Sequence, residues 1–359
     1  MTAAPRILFL DDDHVLRTLR LILCNAESDP RVRDFFAPEQ PDLAPLVRAS
    51  IGLRQSEGAA IGLAVAPGAA FEDATVIVFR RGEVTKSLLQ RHPRLRLVQR
   101  LGERSGDIDL ATAADREVGV SCLPRASLHF TAEHAILLML ALGKRLLQAD
   151  RAVREGHVAP GAGIAADGSA YNWPGMVGVS GVNGKTLGIV GLGEVGTLVA
   201  RIARGFGMRV LYHKRHRATP MQEADLGVEH APLPDLLAAS DCVMLHAANL
   251  PENQGMAGRD FFAAMKKGAW FVNTARGRLV DEDALFDALV DGRIAGAGLD
   301  VHGTEPRAAR DRFAALPNVI LTPHIAGGAK TVLLDEFAVM VANIHAALAG
   351  APIRHSAGL

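Results

Sequence analysis

Cysteine is scarce in this 359-residue chain: Cys24, Cys122 and Cys242 are few, odd in number and far apart. Such a set excludes a disulfide framework and a thiolate zinc site. Each lies beside apolar residues, so three buried, unreactive thiols are expected. Neither sign of charge prevails, with 39 basic and 39 acidic residues. No global field therefore draws the protein to nucleic acid or an anionic membrane. Long hydrophobic runs are missing too. The apolar residues 7–10 stop at Asp11, Asp12 and Asp13, which is not a signal peptide. The longest apolar stretch, 135–143, is about half of what a bilayer span needs. A cytoplasmic protein without nucleic-acid, membrane or metal partners is the expectation. Aromatics supply only 5% of residues, whereas 49% are hydrophobic and 36 are glycine. That balance suits an Ala/Gly/Val/Leu-rich α/β protein, and the length implies two domains.

The first third alternates short apolar runs with segments of helical periodicity. Strands are expected at 6–10, 61–65, 74–79 and 95–98, with a helix at 15–24. This alternation predicts βαβ units and a parallel sheet. The acidic run after the first strand resembles a phosphorylation-receiver pocket. That reading needs an acid after the third strand, where Arg80 and Arg81 stand instead. A polar loop capping the next helix is preferred. One long helix is expected at 131–147, then a turn-rich stretch at 156–184. Strands and helices alternate again from Leu187, and a last helix is expected at 332–348.

Leu187-Gly-Ile-Val-Gly191-Leu-Gly193-Glu194-Val195-Gly196 is an apolar strand running into GxGxxG, with a helical pattern after it. The glycine pattern alone is weak, and a purely structural turn is its alternative. In this context Gly191 permits a tight turn, Gly193 lets backbone approach a pyrophosphate, and Gly196 lets helix pack on strand. The helix amino terminus would offer N–H groups to the phosphates. An acid near the end of the next strand would accept ribose hydroxyls, but that position holds Lys214, followed by Arg215. A basic cluster pairs with a 2′-phosphate, so NADP is preferred and NAD is the alternative. His246, closing another strand, reads as a satisfied structural histidine.

Three later segments look like strands ending in polar residues: Asn273-Thr274-Ala-Arg276-Gly277, Gly296-Ala-Gly-Leu-Asp300 through Glu305-Pro306, and Thr322-Pro-His324. In open α/β sheets ligands lie beyond the carboxyl ends of the strands, so Arg276, Glu305 and His324 are expected to converge. Reducing a 2-oxo acid needs a fixed cation for the carboxylate, which the fork of Arg276 supplies. It also needs a proton donor working near neutrality, the range of histidine. Glu305 beside His324 would stabilise the imidazolium and keep the acid loaded. Asp300 would accept from a nicotinamide carboxamide, and Thr274 joins the cofactor-binding candidates. Taken singly, each residue has an ordinary structural reading as a surface histidine or a salt-bridge partner.

From about residue 95 to 328 these segments resemble the D-isomer-specific 2-hydroxyacid dehydrogenase family, which includes glyoxylate/hydroxypyruvate reductases. Before residue 95 only the alternating pattern agrees. The resemblance implies two flavodoxin- or Rossmann-like lobes with parallel sheets, the cofactor lobe inserted in the substrate lobe. The expected bounds are 1–125 for the substrate lobe, 126–328 for the NAD(P)-binding lobe, and 329–359 for a helix returning to the first. It implies that Arg276 binds a small 2-oxo or 2-hydroxy acid, Glu305 supports the acid/base, and His324 passes the proton. Backbone amides around Leu101 and Gly102 would hold the substrate carboxylate, and the protein would be a homodimer. Departures from the pattern are Glu194 beside the expected pyrophosphate, Ala247-Ala248, His302-Gly303 and Glu103-Arg104-Ser105. The last two leave the substrate open. Within the superfamily, formate dehydrogenases carry Gln where Glu305 stands. A phosphite dehydrogenase-like enzyme and a dinucleotide-sensing corepressor remain as alternatives.

Overall fold

The computed structural model describes residues 5–55, 61–64, 71, 73–163, 168–328 and 330–357. The chain forms two compact units, Met1–Ser127 with Ala329–Leu359, and Leu128–Gly328. The crossing lies two residues later than expected. There the Ser127 amide donates to Glu336 Oε1 at 2.9 Å.

In the first unit, β1 (Ile7–Phe9), β2 (Ile61–Leu63), β3 (Val76–Phe79), β4 (Leu97–Leu101) and β5 (Gly119–Leu123) form one parallel sheet. Their order is β2-β1-β3-β4-β5. The expected strand at 61–65 ends at Leu63 within the described residues, and Val65 lies outside them. β5 was not anticipated. The three acids after β1 behave as a cap and a set of ion pairs. Asp13 accepts from Val15 N and Leu16 N, opening the helix His14–Leu23, and its other oxygen pairs with Arg80. Asp12 pairs with Arg17 and Arg20. The last helix, Leu333–Ala349, buries Phe337, Met340, Val341 and Ile344 in the core that holds Ile7 and Phe9. Asn343 on it donates to Gln99 Oε1 at 2.9 Å and Ser121 Oγ at 3.0 Å, pinning helix to sheet with buried polar groups. Among the described residues, one stretch, Lys330–Ala349, is long and apolar enough to cross a membrane. This helix packs on a sheet, and Asp335 and Glu336 interrupt its apolar run in the first turn.

The second unit holds seven parallel strands: β6 (Thr186–Val190), β7 (Arg209–His213), β8 (Glu229–His230), β9 (Cys242–Leu245), β10 (Trp270–Asn273), β11 (Gly296–Leu299) and β12 (Val319–Leu321). Their order is β12-β11-β10-β9-β6-β7-β8. Apolar clusters cover both faces of the sheet, which is why its central strands read as unbroken apolar runs. The helix expected at 131–147 is two helices, Leu128–Lys144 and Leu146–Arg154. They break at Arg145, held at φ 50° with a guanidinium bond to Val177 O at 2.8 Å. Residues 156–184 contain no helix or strand among those described; 164–167 lie outside them. Cys122 and Cys242 are buried, and burial pushes both thiols above their ordinary range. Cys24 is only half-buried, unlike the expectation.

Candidate active site

The glycine turn after β6 shows why each glycine is there. Gly191 sits at φ 106°, and a side chain on it would run into the backbone of His246 and Ala247 at about 2.5 Å. A side chain on Gly196 would meet Gly191 O at 2.3 Å, so this glycine allows the helix Glu194–Gly205 to press on β6. At Gly193 the reverse holds: a Cβ would meet nothing within 4 Å. Gly193 is also the helix N-cap and supplies no side-chain cap, so the first turn faces open space with its dipole outward. Val195 is half-buried behind it, and Glu194 opens the helix.

Beyond the neighbouring strands lie two buried polar atoms without a partner among the described residues, Thr274 Oγ1 after β10 and His246 Nε2 after β9. The expectation of a satisfied His246 is thereby corrected. Its backbone N–H bonds Val190 O at 2.8 Å, but the ring nitrogen is sealed, and burial pushes its pKa down to about 4. An open helix terminus, a cradle that side chains would fill and two orphaned polar atoms fit a dinucleotide laid across β6, β9 and β10.

The basic cluster after β7 is less bare than the sequence implied. Arg215 donates to Glu252 Oε1 at 2.9 Å, so an acid does reach this loop, from the short turn Pro251–Asn253. Arg217 forks onto Glu223 at 2.8 Å, and Tyr212 Oη donates to the same carboxylate at 2.6 Å. The arginine and tyrosine bonds hold Glu223 down to about 2. Lys214, half-buried, forms no ion pair among the described residues.

The loops after β10, β11 and β12 interlock. Asn273 accepts from Ala275 N and donates to Arg276 O, both at 3.0 Å, and so holds the turn that presents Arg276 to solvent. A side chain on Gly277 would fall 2.0 Å from His302 C and O, so only glycine lets this turn lie on the loop after β11. There Glu305 Oε1 accepts from His302 N at 2.9 Å, and Oε2 takes His324 Nδ1 at 2.7 Å. Burial pushes Glu305 upward, yet the bonds from His324 and the His302 amide win and hold it below the usual carboxylate range. His324 itself lies at φ 57°, left-handed and uncommon for a residue with a side chain.

What holds that conformation is Asp300. Its carboxylate is fully buried and accepts Thr322 Oγ1 at 2.6 Å, Ile325 N at 2.9 Å and Ala326 N at 2.9 Å. His134, on the helix Leu128–Lys144, reaches Thr322 Oγ1 with Nε2 at 3.0 Å. Since the threonine hydrogen goes to Asp300, His134 supplies the hydrogen of that contact. Asp300 thus anchors both sides of His324. His302 closes the set. Its Nδ1 accepts from Arg307 Nε at 3.0 Å, so Nε2–H donates to Thr322 O at 2.9 Å. Arg307 also pairs with Glu282 and Asp311. Outside this frame a cleft of about 680 Å³ opens beside His324 and Glu305, lined by Pro306, Arg307, Leu321 and Pro323.

Arg276, Glu305 and His324 therefore share the carboxyl edge of one sheet. His134, Glu252, Glu282 and Arg307 were not singled out from the sequence. A lone histidine on an apolar helix was the one available signal. Leu101 and Gly102 belong to the first unit. Leu101 is buried, and the Gly102 amide donates to Leu123 O at 2.7 Å, so that amide is already taken.

The sheet order, the open glycine turn and the strand-end polar residues define a dinucleotide-binding α/β oxidoreductase. Comparison with known proteins makes this specific. Residues 136–326 match the model of the D-isomer specific 2-hydroxyacid dehydrogenase, NAD binding domain. The glyoxylate reductase of Korarchaeum cryptofilum is 41% identical over 251 residues, 70% of this chain and 72% of that one. That of Thermococcus kodakarensis is 42% identical with the same coverage. Among solved structures, a glyoxylate reductase from Paecilomyes thermophila has a TM-score of 0.57 at 26% identity, covering 99% of this chain and 98% of that one. D-mandelate dehydrogenase of Rhodotorula graminis has a TM-score of 0.58 at 25% identity, with the same coverage. The chain belongs to the D-isomer-specific 2-hydroxyacid dehydrogenase family.

Proposed function

We propose that the protein reduces a small 2-oxo acid of the glyoxylate or hydroxypyruvate type to the D-2-hydroxy acid, with NADPH preferred over NADH. The observation that carries this reading is the 2.7 Å pair of His324 Nδ1 and Glu305 Oε2, on the sheet edge that also bears the glycine turn. A bound reduced nicotinamide supplies the hydride to the carbonyl carbon. Residues of this chain do the rest. With Nδ1–H committed to Glu305, Nε2 is the nitrogen free to give its proton to the carbonyl oxygen. Glu305 keeps the ring oriented through its 2.7 Å bond to Nδ1. Arg276, exposed on its turn, pairs with the substrate carboxylate and polarises the carbonyl. Thr274 Oγ1 and the first turn of Glu194–Gly205 face the dinucleotide, and Lys214 and Arg215 receive the 2′-phosphate.

Exposed apolar side chains gather between residues 146 and 179, among them Leu146, Leu147, Val153, Tyr171 and Val177. Such a concentration supports a homodimer of the 38.1 kDa chain through the second unit. The absence of a disulfide among the described cysteines fits a reducing, cytoplasmic setting.

Initial rates of NADPH and NADH oxidation against 2-oxo acids from glyoxylate upward test the reading. Turnover led by a small acid, faster with NADPH, is expected. Cofactor binding without turnover on any acid would overturn it and favour a dinucleotide-binding protein.

A further inference from the structure

The carboxyl ends of β7 and β9 flank that of β6, and an ion pair joins the loops that leave them. The pair Arg215–Glu252 is the link, 37 residues apart in sequence and 2.9 Å apart in space. Glu252 is set there by its turn: Asn253 Nδ2 donates to Ala248 O at 2.8 Å, and Asn253 N to Leu250 O at 3.0 Å. Both partners are about half exposed, at 60% and 52%, so solvent weakens the pair and a ligand can replace either side of it. Arg215 holds Glu252 below its ordinary range, so the carboxylate is charged at neutral pH.

Two ligands would meet this pair differently. The adenosine ribose of NADH offers hydroxyl donors and no charge. A carboxylate accepts them, the task usually given to an acid at the end of the second strand, where this chain has Lys214. The ribose of NADPH carries a phosphate, which needs Arg215 and is repelled by a nearby carboxylate.

We infer that Glu252 is the residue that keeps NADH usable in this site and holds back NADPH, an acid delivered from the loop after β9 to replace the one missing after β7. This rests on the reading that Lys214 and Arg215 receive the 2′-phosphate. When NADPH binds, Arg215 turns from Glu252 to the phosphate. When NADH binds, the ion pair stays and Glu252 takes the ribose hydroxyls. The ratio of the two affinities is set by the competition between one carboxylate and one phosphate for one guanidinium.

The test is direct titration of the full chain with NADPH and with NADH, followed by nicotinamide fluorescence, which needs no substrate. Wild type, Glu252→Gln, Arg215→Ala and the double variant are compared. Glu252→Gln is expected to tighten NADPH and weaken NADH, moving the ratio of Kd values on the order of threefold to tenfold toward NADPH. In Arg215→Ala the ratio should move the other way. In the double variant most of the effect of Glu252→Gln on NADPH should vanish, because the competition has lost its object. Raising salt from 50 to 500 mM should shrink the shift. An unchanged ratio in Glu252→Gln, with NADPH lost in Arg215→Ala, overturns this inference alone. Equal effects of Arg215→Ala on both dinucleotides overturn the phosphate-site reading, and the inference with it. A variant that unfolds would show in its thermal midpoint. Glu252→Asp, which keeps the charge, should then retain the wild-type ratio, and a ratio moved toward NADPH there would also count against the inference.

Discussion

Two polar clusters sit on the same carboxyl edge of the second unit's sheet and are built on opposite principles. Around His324 every anchor is buried or doubly bonded. Asp300 is fully buried with three donors, Gly277 lies against His302, and Glu305 is shared between His324 and a backbone amide. Around Arg215 the contact to Glu252 is an exposed ion pair, and beside it Arg217 reaches from solvent onto Glu223. The first cluster keeps one geometry, as proton transfer requires, because misplacing a donor by an ångström costs much of the rate. The second can exchange partners, as a site that chooses between charged and uncharged ligands requires. On the proposed reading, rigidity is concentrated where the bond is made and withheld where the cofactor is sorted.

Substitutions should separate the two. The largest effect is expected from Gly277→Ala. A Cβ 2.0 Å from the His302 carbonyl carbon and oxygen forces two loops apart. A loss of about 3 kcal/mol or more in unfolding free energy, with activity falling more than a hundredfold, is expected. Denaturant melting together with steady-state rates would show it; a tolerated alanine would mean the loops are not interlocked. Asp300→Asn follows. An amide cannot accept from Thr322, Ile325 and Ala326 as the carboxylate does, so stability should drop by about 2 kcal/mol and kcat should drop with it. Cofactor Kd should change little, since Asp300 holds the loop. A Kd change without a kcat change would return Asp300 to the cofactor.

Glu305→Gln should lower kcat by about 10²-fold at neutral pH. The wild-type carboxylate is held below its ordinary value of 4.5. A carboxylate lowered in the folded state contributes stability above its unfolded pKa and loses it as pH falls through the folded one. The His324–Glu305 pair should therefore survive down through pH 4.5 and fail only below it. In Glu305→Gln that acid transition, followed by the ring protons of His324 in NMR spectra, should disappear. The smallest effect belongs to the exchangeable cluster. Replacing Lys214 and Arg215 together with Ala should raise the NADPH Kd about tenfold, spare NADH and leave the melting temperature within a degree or two. A large loss of stability there would erase the contrast between the clusters.

The sequence announced the central strands and their endings clearly, and for a physical reason. β6 is apolar because both its faces are covered, and Gly191 and Gly196 in the turn after it are forced by backbone contacts under 3 Å. Asn273, Gly277 and Asp300 stand where they do for similar local reasons. Less was legible where the cause is distant. β5, Gly-Val-Ser-Cys-Leu, has a serine that looks out of place in a buried strand until Asn343 and Gln99 come to bond it. Nothing local marks the left-handed break at Arg145, which relies on a carbonyl 32 residues away. Glu252 is invisible as a partner of Arg215 until sheet order brings β7 and β9 to either side of β6. Asp300 was found at the correct strand end, but its three donors come from the following loop, and only their geometry reveals an anchor.

The most direct test of the central claim is His324→Ala, measured for single-turnover oxidation of bound NADPH by a 2-oxo acid and, in the same preparation, for NADPH affinity. A rate reduced by about 10³-fold or more with Kd within twofold of wild type is the predicted result, since on the proposed reading the ring passes a proton and does not hold the dinucleotide. A near-normal rate would contradict the account.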